Sequence, residues 1–263
     1  MGNLIYGGLT AALIVGTSTG AYYLIDRPGA ERVGTLDTEL CRTDHAHVAH
    51  RIILLDTTDL LSPDERMLTR EVVDGEAAAA QPYERVTIYA INGADPYSPV
   101  ELFTACAPKR ASDAEGISEN PRLYEAIWKH RFRAPLDVAI NAQIVKNGED
   151  RSPIIETIWA ISRLHDFGSG VKQRRLVIES DLLQNMPEFS QYRGVESFAT
   201  FRHSSFGQLN LPDLTGVEVV IHYLERPKTL ALQTERHIRF WTDFFKAAGA
   251  ASVIVEGGPH ING

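Results

Sequence analysis

Residues 52–65 read Ile52-Ile53-Leu54-Leu55-Asp56-Thr57-Thr58-Asp59-Leu60-Leu61-Ser62-Pro63-Asp64-Glu65, and this stretch decides the fold. Four consecutive apolar residues show no polar alternation. They predict a parallel strand covered on both faces. Ser62-Pro63-Asp64-Glu65 then predicts a helix start, with Ser62 as N-cap, Pro63 in the first position and acids in the first turn. The helix is expected to run to about Asp74-Gly75. A strand, a short polar loop and a helix make the first half of a strand–helix crossover.

The rest of the chain repeats that theme. Residues 85–91 (RVTIYAI) alternate like a strand, and residues 100–106 read as its neighbour. The connection between them holds Gly93, Pro96 and Pro99, which predicts an antiparallel hairpin. Residues 109–121 read as loop. Residues 123–145 have a helical pattern, with Trp128 and Phe132 at i, i+4 and Pro135 expected to break or kink it. Ser152-Pro153 opens a further helix over 154–164. Residues 175–179 (RLVIE) are a second buried strand, ending at Ser180-Asp181, and residues 217–224 (VEVVIHYL) are a third. Residues 194–212 give no clear pattern. Residues 232–248 form an amphipathic helix carrying Phe240, Trp241, Phe244 and Phe245, capped by Gly249 and followed by a last strand at 251–255. Those aromatics read as core packing, with an exposed partner-binding face as the alternative. The predicted fold class is α/β, a doubly wound and mostly parallel sheet. Ligands of such sheets sit beyond the carboxyl ends of the strands.

Toward the amino terminus, residues 4–25 carry no charged side chain, and about 20 apolar residues suffice to cross a bilayer core. Tyr6, Tyr22 and Tyr23 lie near the ends of the stretch, where interfacial tyrosines belong. A secretory signal peptide would need a basic start, which Met1-Gly2-Asn3 lacks. The expected organisation is therefore a single-pass transmembrane helix within residues 1–26, a linker over 27–50 and one domain over 51–263. Arg27, Arg32 and Arg42 follow the span, which pulls the domain toward the cytoplasm. Cys41 and Cys106 are either two buried thiols or one disulfide, and a disulfide pulls the domain to the periplasmic side of a bacterial inner membrane. His45, His47 and His50 lack a carboxylate or cysteine at ligand spacing and read as a polar loop.

The 263 residues are 44% hydrophobic and 23% charged, as in an ordinary globular protein, and the formal net charge is -8. That balance argues against nucleic acid as a partner, because a sequence-independent binder needs a basic footprint. No Walker loop, Gly-x-Gly-x-x-Gly or His-Glu-x-x-His motif is present.

Three predicted strand ends or loops supply oxygen donors. Asp56, Thr58 and Asp59 follow the first strand, Ser152 precedes a helix, and Asp181 follows RLVIE. Carboxylates and hydroxyls suit a hard cation, Mg2+ or Mn2+. At this point the chain resembles the von Willebrand factor A domain family, whose metal-ion-dependent adhesion site is Asp-x-Ser-x-Ser, a Thr or Ser before a later helix, and an Asp after the fourth strand. Asp56, Thr58, Ser152 and Asp181 match in order over roughly residues 51–255. The third hydroxyl position is Leu60, with Asp59 one residue earlier. The wording Asp-Thr-Thr-Asp-Leu-Leu-Ser also looks like bacterial membrane-anchored proteins with this domain.

The resemblance implies a metal bridge to a carboxylate of another protein, hence a membrane-anchored protein–protein interaction module. It also implies an antiparallel strand at 100–106, which would put both cysteines on the face opposite the site. Two alternatives stay open. One is a metal-dependent hydrolase using Asp56, Asp59 and Asp181, with His203 or His222 as base. The other is a metal-free scaffold of an envelope complex.

Overall fold

A computed structural model describes residues 36–258, apart from 45, 116–118, 146–147 and 195. The expected anchor at 4–25 lies outside the described residues. Among the described residues, no helix is long and apolar enough to cross a membrane.

Six strands form one sheet: β1 (Ala49–Leu55), β2 (Arg85–Ala90), β3 (Val100–Cys106), β4 (Gln173–Ser180), β5 (Val217–Tyr223) and β6 (Ser252–Glu256). Their order is β3-β2-β1-β4-β5-β6. Every neighbouring pair is parallel except β2 with β3, the hairpin at one edge. β1 lies centrally and is buried along its whole length, as its unbroken apolar run requires. It begins three residues earlier than its apolar core, at Ala49. His50 and Arg51 enter the sheet because each has a buried polar partner.

Helix α1 (Pro63–Ala79) starts where Ser62 predicts. Ser62 Oγ accepts from Glu65 N, and Glu65 Oε2 accepts from Ser62 N at 2.7 Å, a reciprocal capping box. It continues past Gly75, which lies within the helix with open space about it, to Ala79. Helix α2 (Pro121–Ile127) runs into a π-helical stretch, Trp128–Arg133, and on into α3 (Ala134–Gln143). Pro135 has no amide hydrogen and its ring crowds the carbonyl four residues back, so the turns just before it widen and the helix continues. The expected break is thus a π-bulge.

Helix α4 (Ile154–Ser162) and helix α7 (Glu235–Ala247) cover the opposite face. On α7, Ile238, Phe240, Trp241, Phe244 and Phe245 are all buried in that core, which excludes the exposed aromatic face. Gly249 follows in the left-handed region at φ 86°, where a side chain's Cβ would meet Thr215 Oγ1 at 2.8 Å. The stretch without a sequence pattern holds α5 (Phe198–His203) and α6 (Ser205–Leu209). These short helices are held by rings rather than periodicity: Phe201 lies 5.3 Å from Phe240 and 4.9 Å from Phe189.

Residues 36–44, expected to be linker, are packed against the sheet. Leu40 belongs to the core on the α1 side. Cys41 and Cys106 form a disulfide with Cα atoms 4.8 Å apart. It lies at the amino end of the parallel strands, where antiparallel β3 finishes. His50 is equally built in, with Nε2 2.9 Å from Thr87 Oγ1 and Nδ1 2.8 Å from the Asp166 carbonyl. Burial pushes it down to about 4, so it is a neutral core residue and not loop.

Candidate functional site

β1, β4 and β5 all end at the carboxyl edge of the sheet, and the loops that follow them converge there. Asp56 directly follows β1 and is buried. Its Oδ1 accepts from Thr58 Oγ1 at 2.6 Å and Thr58 N at 3.2 Å. Its Oδ2 accepts from Ser180 Oγ at 2.5 Å, with Ser152 Oγ at 3.5 Å. Four donors therefore saturate one carboxylate. Asp56, Thr58, Ser152 and Asp181 come together as the sequence led one to expect. Ser152 is brought in by a two-sided backbone bridge to Asn185, N to O at 3.1 Å and O to N at 2.9 Å.

Asp181 follows β4. Its Oδ1 accepts from Leu183 N at 2.9 Å, and its Oδ2 lies 2.8 Å from Arg226 Nε. Burial, and then the nearby charge of Asp56, push it up to about 7 against the pull of Arg226. The turn after it is fixed from below. Leu182 takes φ 57°, unusual for a leucine. Its carbonyl accepts from Trp241 Nε1 at 2.9 Å and lies 3.1 Å from His237 Nε2. Tyr223 Oη lies 2.7 Å from His237 Nδ1. Burial holds His237 down at about 4, so the ring is neutral, and a hydrogen on Nε2 serves the carbonyl while the tyrosine donates to Nδ1.

Arg226 was not expected. It lies three residues beyond β5 and is 8% exposed. Besides Asp181, its Nη1 is 3.3 Å from Glu65 Oε1, and its Nε is 3.7 Å from Asp59 Oδ2. Asp59 is half-exposed at the rim. Leu60 points outward at 61% exposure, so the position of the missing third hydroxyl faces solvent.

An expected Mg2+ or Mn2+ does not fit this arrangement. The positive charge between the carboxylates is a guanidinium, and both oxygens of Asp56 are taken up by protein donors. The two expected bases are placed elsewhere. His222 Nδ1 is 3.3 Å from Glu256 and its Nε2 3.9 Å from Glu76, on the sheet face under α1. His203 is exposed at the end of α5.

Glu179, one turn of strand below the site, faces α1. Its Oε1 is 2.5 Å from Thr69 Oγ1, which is also 2.9 Å from the Glu65 carbonyl. One hydroxyl has one hydrogen. If it serves the carbonyl, the other contact needs a hydrogen from Glu179. Burial pushes this carboxyl up to about 7, in keeping with that assignment. A folded-state value above the unfolded one means that ionisation opposes folding, so stability is lost as the pH rises from about 4.5 through 7. Glu179→Gln is therefore expected to gain up to about 3 kcal/mol on the wild type between pH 5 and pH 8. Urea unfolding at both values reads this, and parallel stability profiles would exclude a neutral Glu179.

The strand order and the antiparallel edge hairpin agree with the von Willebrand factor A-like α/β fold expected from the sequence. No protein-family model matches the chain, and no curated protein matches it. Among solved structures it is similar to a von Willebrand factor type A protein from Catenulispora acidiphila, at 10% identity and TM-score 0.43, over 77% of this chain and 42% of that one. It is also similar to the conserved hypothetical protein BatB from Bacteroides thetaiotaomicron, at 11% identity and TM-score 0.41, over 80% of this chain and 91% of that one. The chain thus spans less than half the length of the first of these.

Proposed function

We propose that this domain is a protein–protein interaction module, held at a bacterial inner membrane by residues 4–25, that meets its partner at the carboxyl edge of the sheet. The observation that carries the reading is the convergence of four loops on one acidic centre with an apolar rim. Asp56, Asp59 and Glu65 outnumber Arg226 even with Asp181 pushed up to about 7, so the centre keeps surplus negative charge. Leu60, 61% exposed, and Tyr192, 42% exposed, stand beside it. The Tyr192 hydroxyl is pushed up by burial and then by Asp181, Asp59 and Asp56, which puts it against this cluster.

The partner chemistry that suits such a surface is a basic segment with an apolar anchor, not a carboxylate. The Cys41–Cys106 disulfide supports a domain on the oxidising, periplasmic side. The hydrolase alternative has less behind it, because neither His222 nor His203 supplies a base to the carboxylates. A metal-free scaffold differs from the proposal only in using another surface.

A photo-crosslinking residue placed at 60 or 192 in the full-length protein, in its own membrane, tests this. Position 138, 71% exposed on α3, is the control. The expected result is one discrete adduct from 60 and 192, weakened by added salt and absent from 138. Equal labelling at all three positions, or none at 60 and 192, would sink the reading.

A further inference from the structure

We infer that Arg226 is the resident cation of the carboxylate cluster, a tethered guanidinium in the place where a divalent ion would otherwise sit. Three observations carry this. The first is position. Nε lies 2.8 Å from Asp181, Nη1 3.3 Å from Glu65 and Nε 3.7 Å from Asp59, so one group links carboxylates from the β1 loop, the start of α1 and the β4 loop. A guanidinium is planar, spreads its charge over three nitrogens and stays protonated, which suits it to bridge several carboxylates at once.

The second is the brace that delivers it. Arg226 N donates to Gln233 Oε1 at 2.8 Å, and Gln233 Nε2 donates to the Leu224 carbonyl at 2.6 Å. Thr229 N donates to the Arg226 carbonyl at 3.0 Å. Gln233 is buried, so the loop after β5 is folded around an interior amide. Arg226 is therefore held from its backbone outward and is not a surface side chain that happened to land on an acid. Ordering it costs little conformational entropy beyond what the fold already demands.

The third is what a metal would meet. With the guanidinium 2.8 Å from Asp181, an ion bound to the same oxygen would face a like charge at van der Waals distance. The guanidinium would have to swing away from Asp181. Leu60, turned to solvent, offers no ligand in return. The hydroxyls of Thr58, Ser152 and Ser180 already point their hydrogens at Asp56, so their role here is to stabilise that carboxylate.

The inference is independent of which partner docks at the site, and its test needs no partner. Full-length wild-type protein is titrated with Mn2+ by calorimetry and by electron paramagnetic resonance. Its melting temperature is compared in EDTA and in millimolar Mg2+. The expected result is no saturable Mn2+ binding and no shift in melting temperature. Arg226→Met removes the charge and keeps most of the apolar stem. It is expected to bind Mn2+ at least about tenfold more tightly than wild type, and Asp181→Asn in that background is expected to abolish the gain. Arg226→Lys keeps the charge and is expected to stay metal-free. Saturable binding by the wild type that Asp56→Asn removes would overturn the inference. So would a folded Arg226→Met protein that gains no site. If Arg226→Met does not fold, the wild-type and Arg226→Lys titrations still decide.

Discussion

Reduction of the Cys41–Cys106 disulfide is expected to lower the stability of the domain by about 4 kcal/mol. The bond closes a loop of 65 residues. In the chain-entropy description a crosslink of that span removes freedom from the unfolded chain worth roughly 4 kcal/mol at 25 °C. The structure adds a local consequence. Residues 36–44 are joined to the sheet by few other contacts: the Cys106 amide donates to the Glu39 carbonyl at 2.8 Å, and Arg85 Nη1 lies 2.9 Å from Glu39 Oε2. Without the disulfide the segment is held by such contacts, by Arg42 stacked 5.4 Å over the Tyr83 ring and by Leu40 in the core. Urea unfolding of oxidised protein, reduced protein and a Cys41→Ala/Cys106→Ala variant measures the loss. The reduced and doubly substituted forms should agree within about 1 kcal/mol, and a loss below about 1 kcal/mol in both would show that the segment is held by its other contacts. Hydrogen exchange should rise first in residues 36–44 and leave the carboxyl edge protected, because the bond and the candidate site lie at opposite ends of the parallel strands.

The separation of those two ends was legible because it follows from strand direction. β1, β4 and β5 carry apolar runs, the hairpin has its turn residues, α1 has the Ser62 capping box and α7 ends at Gly249. Asp56, Thr58, Ser152 and Asp181 were legible because they sit at strand ends, where α/β sheets bind ligands. Arg226 sits at a strand end by the same rule, three residues after β5. Arginine is no metal ligand, so the oxygen-donor pattern of the strand ends does not mark it, and Ser180 is masked by the stronger signal of its neighbour Asp181. His237 could not be read at all, since its role depends on the Leu182 carbonyl 55 residues away in sequence. The short helices α5 and α6 were unreadable for a similar reason. Stacked phenylalanines hold them, and ring packing leaves no period in the sequence. Local propensity describes elements that stabilise themselves, while tertiary contact decides the rest.

The same contrast holds beneath α1, where the sheet presents a charged cluster beside its apolar core. Arg51 on β1 reaches Glu76 of α1 and places Nε 2.9 Å from Glu84 Oε1. Arg175, its partner across β4, places Nη2 2.9 Å from Glu76 Oε1 and Nη1 2.7 Å from Glu218 Oε1. Arg51, Glu76 and Glu84 are all buried. Arg51→Met keeps the bulk and removes the charge, leaving Glu84 without its cation and Glu76 with Arg175 and His222. Breaking a buried pair from one side costs about 3–5 kcal/mol, because the remaining carboxylate stays desolvated. A loss of about 4 kcal/mol at pH 7 is therefore expected.

Its pH dependence has a fixed sign. Burial alone would push Glu76 up, but His222, Arg175 and Arg51 together hold it at about 2. A folded value below the unfolded one, about 4.5, means stability that is fully present above pH 4.5 and lost as the pH falls through 2. In Arg51→Met the carboxyl loses part of that hold and protonates sooner, which relieves the variant in acid. The gap between variant and wild type should therefore narrow as the pH falls from 4.5 toward 2. Denaturant unfolding at pH 7, 4.5 and 3 tests both parts. A gap that stays constant with pH would assign the loss to packing around the arginine stem, and a gap below about 1 kcal/mol at pH 7 would mean that water reaches the carboxylates under α1.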